Sequence, residues 1–423
     1  MTRIAAGLDF GTSNSAIGYA HAGDRALHRF ASGDSFIPSA LFHDDEDRCL
    51  RFGSEAERCF LAGDDGRYLR ALKSILGTRL IEETTVLGGR PQAFRDLLRH
   101  FLAFMKDDLE ARLDAPVSRL VAGRPVRFGH DDTADARAQS ELNALYRAVG
   151  FQEVTFLHEP VAALYDAASA MRAPRHVLVA DIGGGTSDFT VARNRGAGDV
   201  ADHRDLEILA NTGVRVGGTD LDRELSLTAL MPRLGFGSTY SSPLSNAVLP
   251  IPSYYYTELA SWHLIPFFYA RARRDKLRDF QRTAEAPERL ERLIEVAERR
   301  LGHRLAAGVE RAKIALGAAQ RTDLQFDDLP ALGRAGIDAD TLAEAIGPSL
   351  AAIRDGIDAA LAEANLERDA IDHLVLTGGT TLLPAVRETI AACVPAARSV
   401  ESDPFCAVVN GLTRAAARFE EHA

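Results

Sequence analysis

The sequence predicts an α/β fold made of two related lobes, and three observations predict it. The stretch Leu8-Asp9-Phe10-Gly11-Thr12-Ser13-Asn14-Ser15 returns in related form as Ala180-Asp181-Ile182-Gly183-Gly184-Gly185-Thr186-Ser187-Asp188. Each has an apolar run, an Asp, glycine and hydroxyl residues, then a second apolar run, which is the pattern of a β-hairpin with a tight, glycine-permitted turn. Strand-like and helix-like segments alternate in both halves of the chain. At 423 residues, with 46% hydrophobic and 26% charged residues, the chain is long enough for two or three globular domains.

Taken in order, Ile4 to Leu8 reads as a strand, Ala16 to Tyr19 as its hairpin partner and Ala26 to Phe30 as a further strand. Pro38 marks a sheet edge, because it has no N–H for a ladder. An acidic loop, Asp44 to Asp47, opens a region of different character, about 40–115, with helical patterns over Ser54–Leu61 and Pro91–Leu113. This region reads as an inserted subdomain. Val117 to Ala122 resumes the sheet, Gly123-Arg124-Pro125-Val126 turns, Asp131 to Val149 is an amphipathic helix closed by Gly150, and Val154 to Leu157 is a strand. Glu159 to Met171 is a helix with Pro160 in its first turn.

The second lobe starts near Arg175. Leu206 to Asn211 is a strand, and Val214-Arg215-Val216-Gly217-Gly218-Thr219-Asp220 is a glycine loop entering a helix with an acidic first turn. The stretch 232–256, with Pro232, Pro243, Pro250 and Pro252, reads as loop. Pro287 to Ala319 is helical, Thr322–Phe326 a strand, Asp340–Ala364 a helix and His373–Thr377 a core strand ending at Gly378-Gly379. A helix follows Pro384, and Phe405 to Glu420 forms a terminal helix interrupted at Gly411. The resulting division is lobe I over 1–172 with its insertion, lobe II over 173–400 with an insertion at about 220–322, and a terminal helix, 401–423, returning to lobe I.

A formal net charge of -11 argues against nucleic acid or an anionic membrane as the main partner. No apolar run is long enough to span a bilayer, and no leader pattern precedes the first strand. Cys49, Cys59, Cys393 and Cys406 lack zinc-type spacing and read as reduced structural thiols, so a cytoplasmic location is expected.

Successive backbone N–H groups in a glycine turn can converge into an anion-binding concavity. Gly11, with Thr12 and Ser13, offers one such turn, and Gly183, Gly184, Gly185 and Thr186 offer another. An Asp beside each turn suits a hydrated Mg²⁺ set between carboxylate and phosphate. Two such hairpins suggest two lobes gripping one polyphosphate.

With these residues in view, the chain resembles the actin-like ATPase superfamily, with its two ribonuclease-H-like lobes and inserted subdomains around a nucleotide cleft. Within it, the chain is similar to the DnaK-type heat-shock chaperone family. The resemblance covers nearly the whole chain and is carried by Leu8 to Ser15, by Leu157-His158-Glu159-Pro160-Val161-Ala162-Ala163-Leu164, by Asp181 to Asp188 and by Leu376-Thr377-Gly378-Gly379-Thr380-Thr381. Gly123-Arg124-Pro125-Val126 and the short length make it most similar to YegD-like proteins. The resemblance implies binding of ATP and ADP with Mg²⁺, and slow hydrolysis of ATP.

The same resemblance implies roles. Asp9 and Asp181 hold the Mg²⁺ shell, and Asp181 also counts among the catalytic residues. Lys73 orients the attacking water, Glu159 lies near metal and water, and Thr186 and Asp188 lie near the γ-phosphate. Asn14 joins Gly11, Thr12 and Ser13 on the phosphates, with Gly217 and Gly218. Glu310 and Lys313 contact the ribose, and Gly378 and Gly379 contact the adenosine. A lone helical lysine is ordinarily solvated surface, so Lys73 rests on the resemblance.

There are departures. Ile314 and Leu382 stand where the family sandwiches adenine between arginines, which removes cation–π attraction. Gly317 stands where a serine bonds the base, Asp403-Pro404-Phe405 lacks the family's acid, and 232–285 matches poorly. The sequence carries no counterpart of the family's linker, client-binding sandwich or lid, so a nucleotide switch is better supported than folding activity. Unfolded proteins and co-chaperones are the partners that the family implies, and a monomer is expected. The basic segment Arg271 to Arg282 reads as a solvated helix, with partner docking as the other reading. A small-molecule kinase of the same superfold and an actin-like scaffold are the alternatives.

Overall fold

In a computed structural model, which describes residues 4–421 apart from 130, 172–175, 197–204, 243–246 and 327–328, both hairpins form at the centre of their own sheets. The first pairs Ala5–Phe10 with Asn14–His21, and the second pairs His176–Ile182 with Ser187–Asn194. The lobe boundary expected near Arg175, and Pro243 of the expected loop, lie outside the described residues.

The two sheets share one order. In the first, Glu153–His158 runs parallel to Arg119–Arg124, which runs parallel to Ala5–Phe10. The hairpin partner Asn14–His21 and then Asp24–Leu27 follow antiparallel. In the second, Arg398–Val400, His373–Thr377 and His176–Ile182 are parallel, and Ser187–Asn194 and Leu206–Val214 follow antiparallel. The duplication read from two short motifs therefore extends to the topology of five strands on each side. Parallel pairs need crossovers, and the chain supplies helices there, including Asp132–Ala148 and Pro384–Cys393.

By contacts the chain divides into two compact units, Met1–Gly218 with Leu350–Ala423, and Thr219–Ser349. Both sheets belong to the first unit. Its core joins them through two helices: Ala5 and Val121 of one sheet and Val177, Val179 and Val375 of the other share a cluster with Ala162, Ala163 and Leu164, and with Ala407, Val408 and Leu412. Small residues permit that closeness. At Gly411 a side chain would overlap the Ala162 carbonyl, and at Gly7 it would meet Thr413 backbone. Gly411 is thus a packing glycine within a continuous helix, Ala407–Glu421, and not the interruption expected.

The second unit, taken by itself, carries helices Arg271–Gln281, Pro287–Glu298 and Gly302–Ala315 over a core that includes Tyr255, Tyr256, Phe268, Leu290 and Leu293. The expected single helix over 287–319 is two, broken where Arg300 takes φ 54°. The expected helix over 340–364 is likewise two, Ala339–Ala345 and Gly347–Glu363. The stretch 232–256 is not all loop: Thr239–Ser241 pairs with Val248–Pro250, and a helix covers Tyr254–Leu259. Arg321–Gln325 pairs with an unexpected strand, Arg334–Asp338. In the basic segment Arg271 pairs with Asp275, Arg273 with Glu258, Arg278 with Glu298 and Arg282 with Asp279. Neighbouring acids thus answer much of its charge.

Other bounds shift by a few residues. The long helix begins at Phe94, because Arg90–Ala93 pairs with Thr84–Leu87 as a hairpin. The strand expected to end at Ala122 runs to Arg124, and that expected to end at Asn211 runs to Val214.

Candidate functional site

The first turn is tight because a glycine allows it: a side chain at Gly11 would overlap the carbonyl of Asn14. Asn14 starts the return strand and pairs with Pro38. Ser39 fastens the turn from outside, donating its hydroxyl to the Gly11 carbonyl at 2.7 Å and its N–H to the Ser13 carbonyl at 2.8 Å. The second turn closes on itself through Gly183 N–H to Thr186 carbonyl, 2.9 Å.

The two turns face each other. A side chain at Gly184 would overlap the Ser13 hydroxyl, and one at Gly185 would come within 2.7 Å of Thr12 Oγ1. The glycine loop is seated against the same place: a side chain at Gly217 would lie 2.5 Å from the Gly185 nitrogen, and the Gly218 N–H bonds the Gly183 carbonyl at 2.9 Å. Gly378, at φ 81°, lies against the strand behind the second turn, where a side chain would be 2.8 Å from Asp181 Oδ1. Thr380 donates its hydroxyl to the Gly183 carbonyl at 2.9 Å. The glycine main chain of the second turn thus lies directly against the Thr12 and Ser13 side chains of the first.

Acids gather beneath. Asp181 and Asp188 are direct cross-strand partners. Like charges so placed repel. Glu159 enters at the first turn of its helix and receives Lys73 Nζ at 2.9 Å. Lys73 lies in a short 3-10 turn, Leu72–Ile75, and is buried, as are Glu159, Asp181 and Asp188. Asp188 accepts the Val126 N–H at 2.7 Å and a hydrogen bond from the Thr186 side chain. The Gly-Arg-Pro-Val turn therefore serves to present one N–H to an acid of the site.

The charge balance is unfavourable as it stands. Burial, and then Glu159, push Asp9 up to about 7. Burial, and then Glu159, push Asp188 up to about 7 as well. Burial first, then Glu159, Asp188 and Asp9, raise Asp181 well above its ordinary value. Lys73 is raised, because Glu159 and Asp9 outweigh its own loss of solvation. The carboxylates of Asp9, Glu159, Asp181 and Asp188 share one lysine among the described residues. A hard divalent cation with oxygen ligands fits this donor set and would offset the excess negative charge.

The structure brings together, in one unit, Asp9, Thr12, Ser13, Lys73, Glu159, Asp181, Gly183, Gly184, Gly185, Thr186, Asp188, Gly217, Gly218 and Gly378. Gly379 and Leu382 belong to the same unit, on a 3-10 turn with Leu382 exposed. Glu310, Lys313 and Ile314 belong to the other unit, on the helix Gly302–Ala315. There Lys313 is buried in an ion pair with Asp222 at 2.7 Å, and Ile314 is exposed. Ser39 escapes a reading of the sequence, and Val126, though part of the Gly-Arg-Pro-Val stretch, shows no sign there of its bond to Asp188, because each acts through hydrogen bonds to residues remote in the chain.

A family model described as Hsp70 protein matches residues 283–417. The chaperone protein DnaK of Cenarchaeum symbiosum is 25% identical over 418 residues, covering 96% of this chain and 53% of that protein. The chaperone protein DnaK of a Thermus thermophilus strain is 24% identical, covering 91% of this chain and 56% of that protein. That of Elusimicrobium minutum is 26% identical, covering 92% and 53%. The chain spans about half the length of the curated relatives it matches. Among the described residues no helix is long and apolar enough to cross a membrane.

Proposed function

We propose that this chain, similar to DnaK chaperone proteins over nearly its whole length and to the Hsp70 family model over residues 283–417, has the actin-like ATPase fold, binds ATP with Mg²⁺ and acts as a slow ATP-hydrolysing switch. The observation that carries the reading is the pair of opposed glycine turns above four carboxylates and a buried lysine. Backbone donors around Gly11, Thr12, Ser13 and Gly183–Gly185 would cradle phosphate oxygens. Asp9 and Asp181 would hold the Mg²⁺ shell. When bound, Mg²⁺ neutralises charge on the phosphates as they react.

The chain's own residues supply the remainder. Glu159 fixes the Lys73 ammonium, and the fixed ammonium orients a water for in-line attack. Asp188, held by Val126 and Thr186, would accept a hydrogen bond from that water. Catalysis of this type is positioning plus charge stabilisation, with no covalent intermediate. The nucleoside roles of Glu310, Lys313, Ile314, Gly378, Gly379 and Leu382 are supported by the resemblance alone, as are unfolded proteins or co-chaperones as partners.

The test is nucleotide binding followed by turnover. Millimolar ATP with Mg²⁺ should raise the melting temperature, and ATP should be converted slowly to ADP and phosphate. No stabilisation by ATP at that concentration would overturn the reading. Transfer of phosphate to a metabolite instead of water would replace it with a kinase.

A further inference from the structure

Arg215 lies in the glycine loop, and the backbone on both sides of it is fixed to the second hairpin. Val214 pairs with Ser187, the Ser187 hydroxyl donates to the Val216 carbonyl at 2.7 Å, and Gly217 and Gly218 rest on Gly183–Gly185. From this anchored position the half-buried Arg215 side chain donates Nη2–H to the Ser74 carbonyl at 3.3 Å. Ser74 is the neighbour of Lys73, in a turn entered through Ala71 at φ 57°.

Lys73 is therefore held twice. Its head is held by Glu159 from the first sheet's side, and the main chain one residue on, at Ser74, is held by Arg215 from the second hairpin's side. A lysine stem is a flexible four-carbon chain, so a fixed head on a loose backbone would still wander. Guanidinium is planar and permanently charged, and its bond to a carbonyl is charge-assisted.

We infer that Arg215 is a positioning residue for Lys73, a strut that sets the lysine turn at a fixed distance from the second glycine turn. The inference rests on the nucleotide reading above. It assigns Arg215 no contact with phosphate. Loss of the strut should slow the reaction while leaving diphosphate binding alone, because misplacement of a reacting group by about 1 Å can cost on the order of 100-fold in rate.

The experiment is a double-mutant cycle on the full chain with Lys73→Ala and Arg215→Ala, alongside Arg215→Lys. Single-turnover ATP hydrolysis and the dissociation constants of Mg·ATP and Mg·ADP are measured for each. Arg215→Ala should lower the rate about 10- to 100-fold with Mg·ADP affinity within about threefold, and Arg215→Lys should recover part of the rate. The double variant should be no slower than Lys73→Ala. Should wild type bind without measurable turnover, the cycle is read in the ratio of ATP to ADP affinity, which the double variant and Lys73→Ala should share. An unchanged rate or ratio in Arg215→Ala would overturn the inference. Additive losses would do so too, since they mean an independent contact with phosphate. A fall in melting temperature without nucleotide, unrelieved in Arg215→Lys and matched by equal losses of ATP and ADP affinity, would mean a role in folding only. Failure of the wild type to bind Mg·ATP would instead sink the nucleotide reading.

Discussion

Asp188 is held by two hydrogen bonds and is still pushed up to about 7, first by burial and then by the nearby Glu159. Its ordinary value is 3.8, so between about pH 4 and pH 7 the folded state keeps a proton that the unfolded chain has released. The stability this contributes is full below pH 4 and is lost as pH rises through 7. The nucleotide-free protein should therefore melt at a higher temperature at pH 5.5 than at pH 8. Asp188→Asn should flatten that dependence, with Asp9 and Asp181 leaving a residual slope; melting curves at the two pH values check it. Lys73→Ala removes the one lysine, among the described residues, that faces these four acids. Breaking such a pair typically costs about 3–5 kcal/mol, and turnover should fall at least about 100-fold. Denaturant unfolding and a phosphate-release assay measure the two effects separately. At this scale the sequence was readable only where a motif names the residue. Asp9, Asp181 and Glu159 stand in such motifs. Val126 and Arg215 lie in stretches that the sequence singles out and Ser39 does not, but no motif names any of the three, since each acts through hydrogen bonds to a residue distant in the chain.

Elements were legible in proportion to how local their signal is. Both hairpins announce themselves within about ten residues, since the turn glycines and flanking apolar runs are contiguous. The strand Arg334–Asp338 went unread because it contains Gly336 and only one buried apolar residue, Ile337. The helix break at Arg300 went unread because no proline marks it, the one near Ile346 went unread although Gly347 and Pro348 follow it, and Gly411 misled in the opposite sense. A helix interior glycine costs about 1 kcal/mol against alanine, and here the close approach to Ala162 outweighs that cost. Gly411→Val should accordingly lower stability by about 1–3 kcal/mol or more, read from chemical denaturation. Gly217→Ala should push the loop off Gly184 and Gly185, because the added carbon meets backbone and not a movable side chain. Calorimetry should show weakened Mg·ATP binding in that variant.

The whole molecule's architecture was the most legible level, since one duplicated motif implied duplicated sheets, and the five-strand order repeats on both sides. Binding should stabilise the chain by mass action. At nucleotide 100-fold above its dissociation constant the gain is about 2.7 kcal/mol, visible as a rise in melting temperature that a chelator of Mg²⁺ reverses. The two hairpins have equal loops, so Asp9 faces Ala16 across its ladder where Asp181 faces Asp188. Ala16 is buried and packs with Cys406 and Val409 of the terminal segment. In one hairpin the position facing the Asp packs against the terminal segment; in the other it carries a second acid. Two near-equivalent halves thereby acquire a direction: under the nucleotide reading proposed above, a chain of phosphates laid across them would have its reacting end on the side of the second copy.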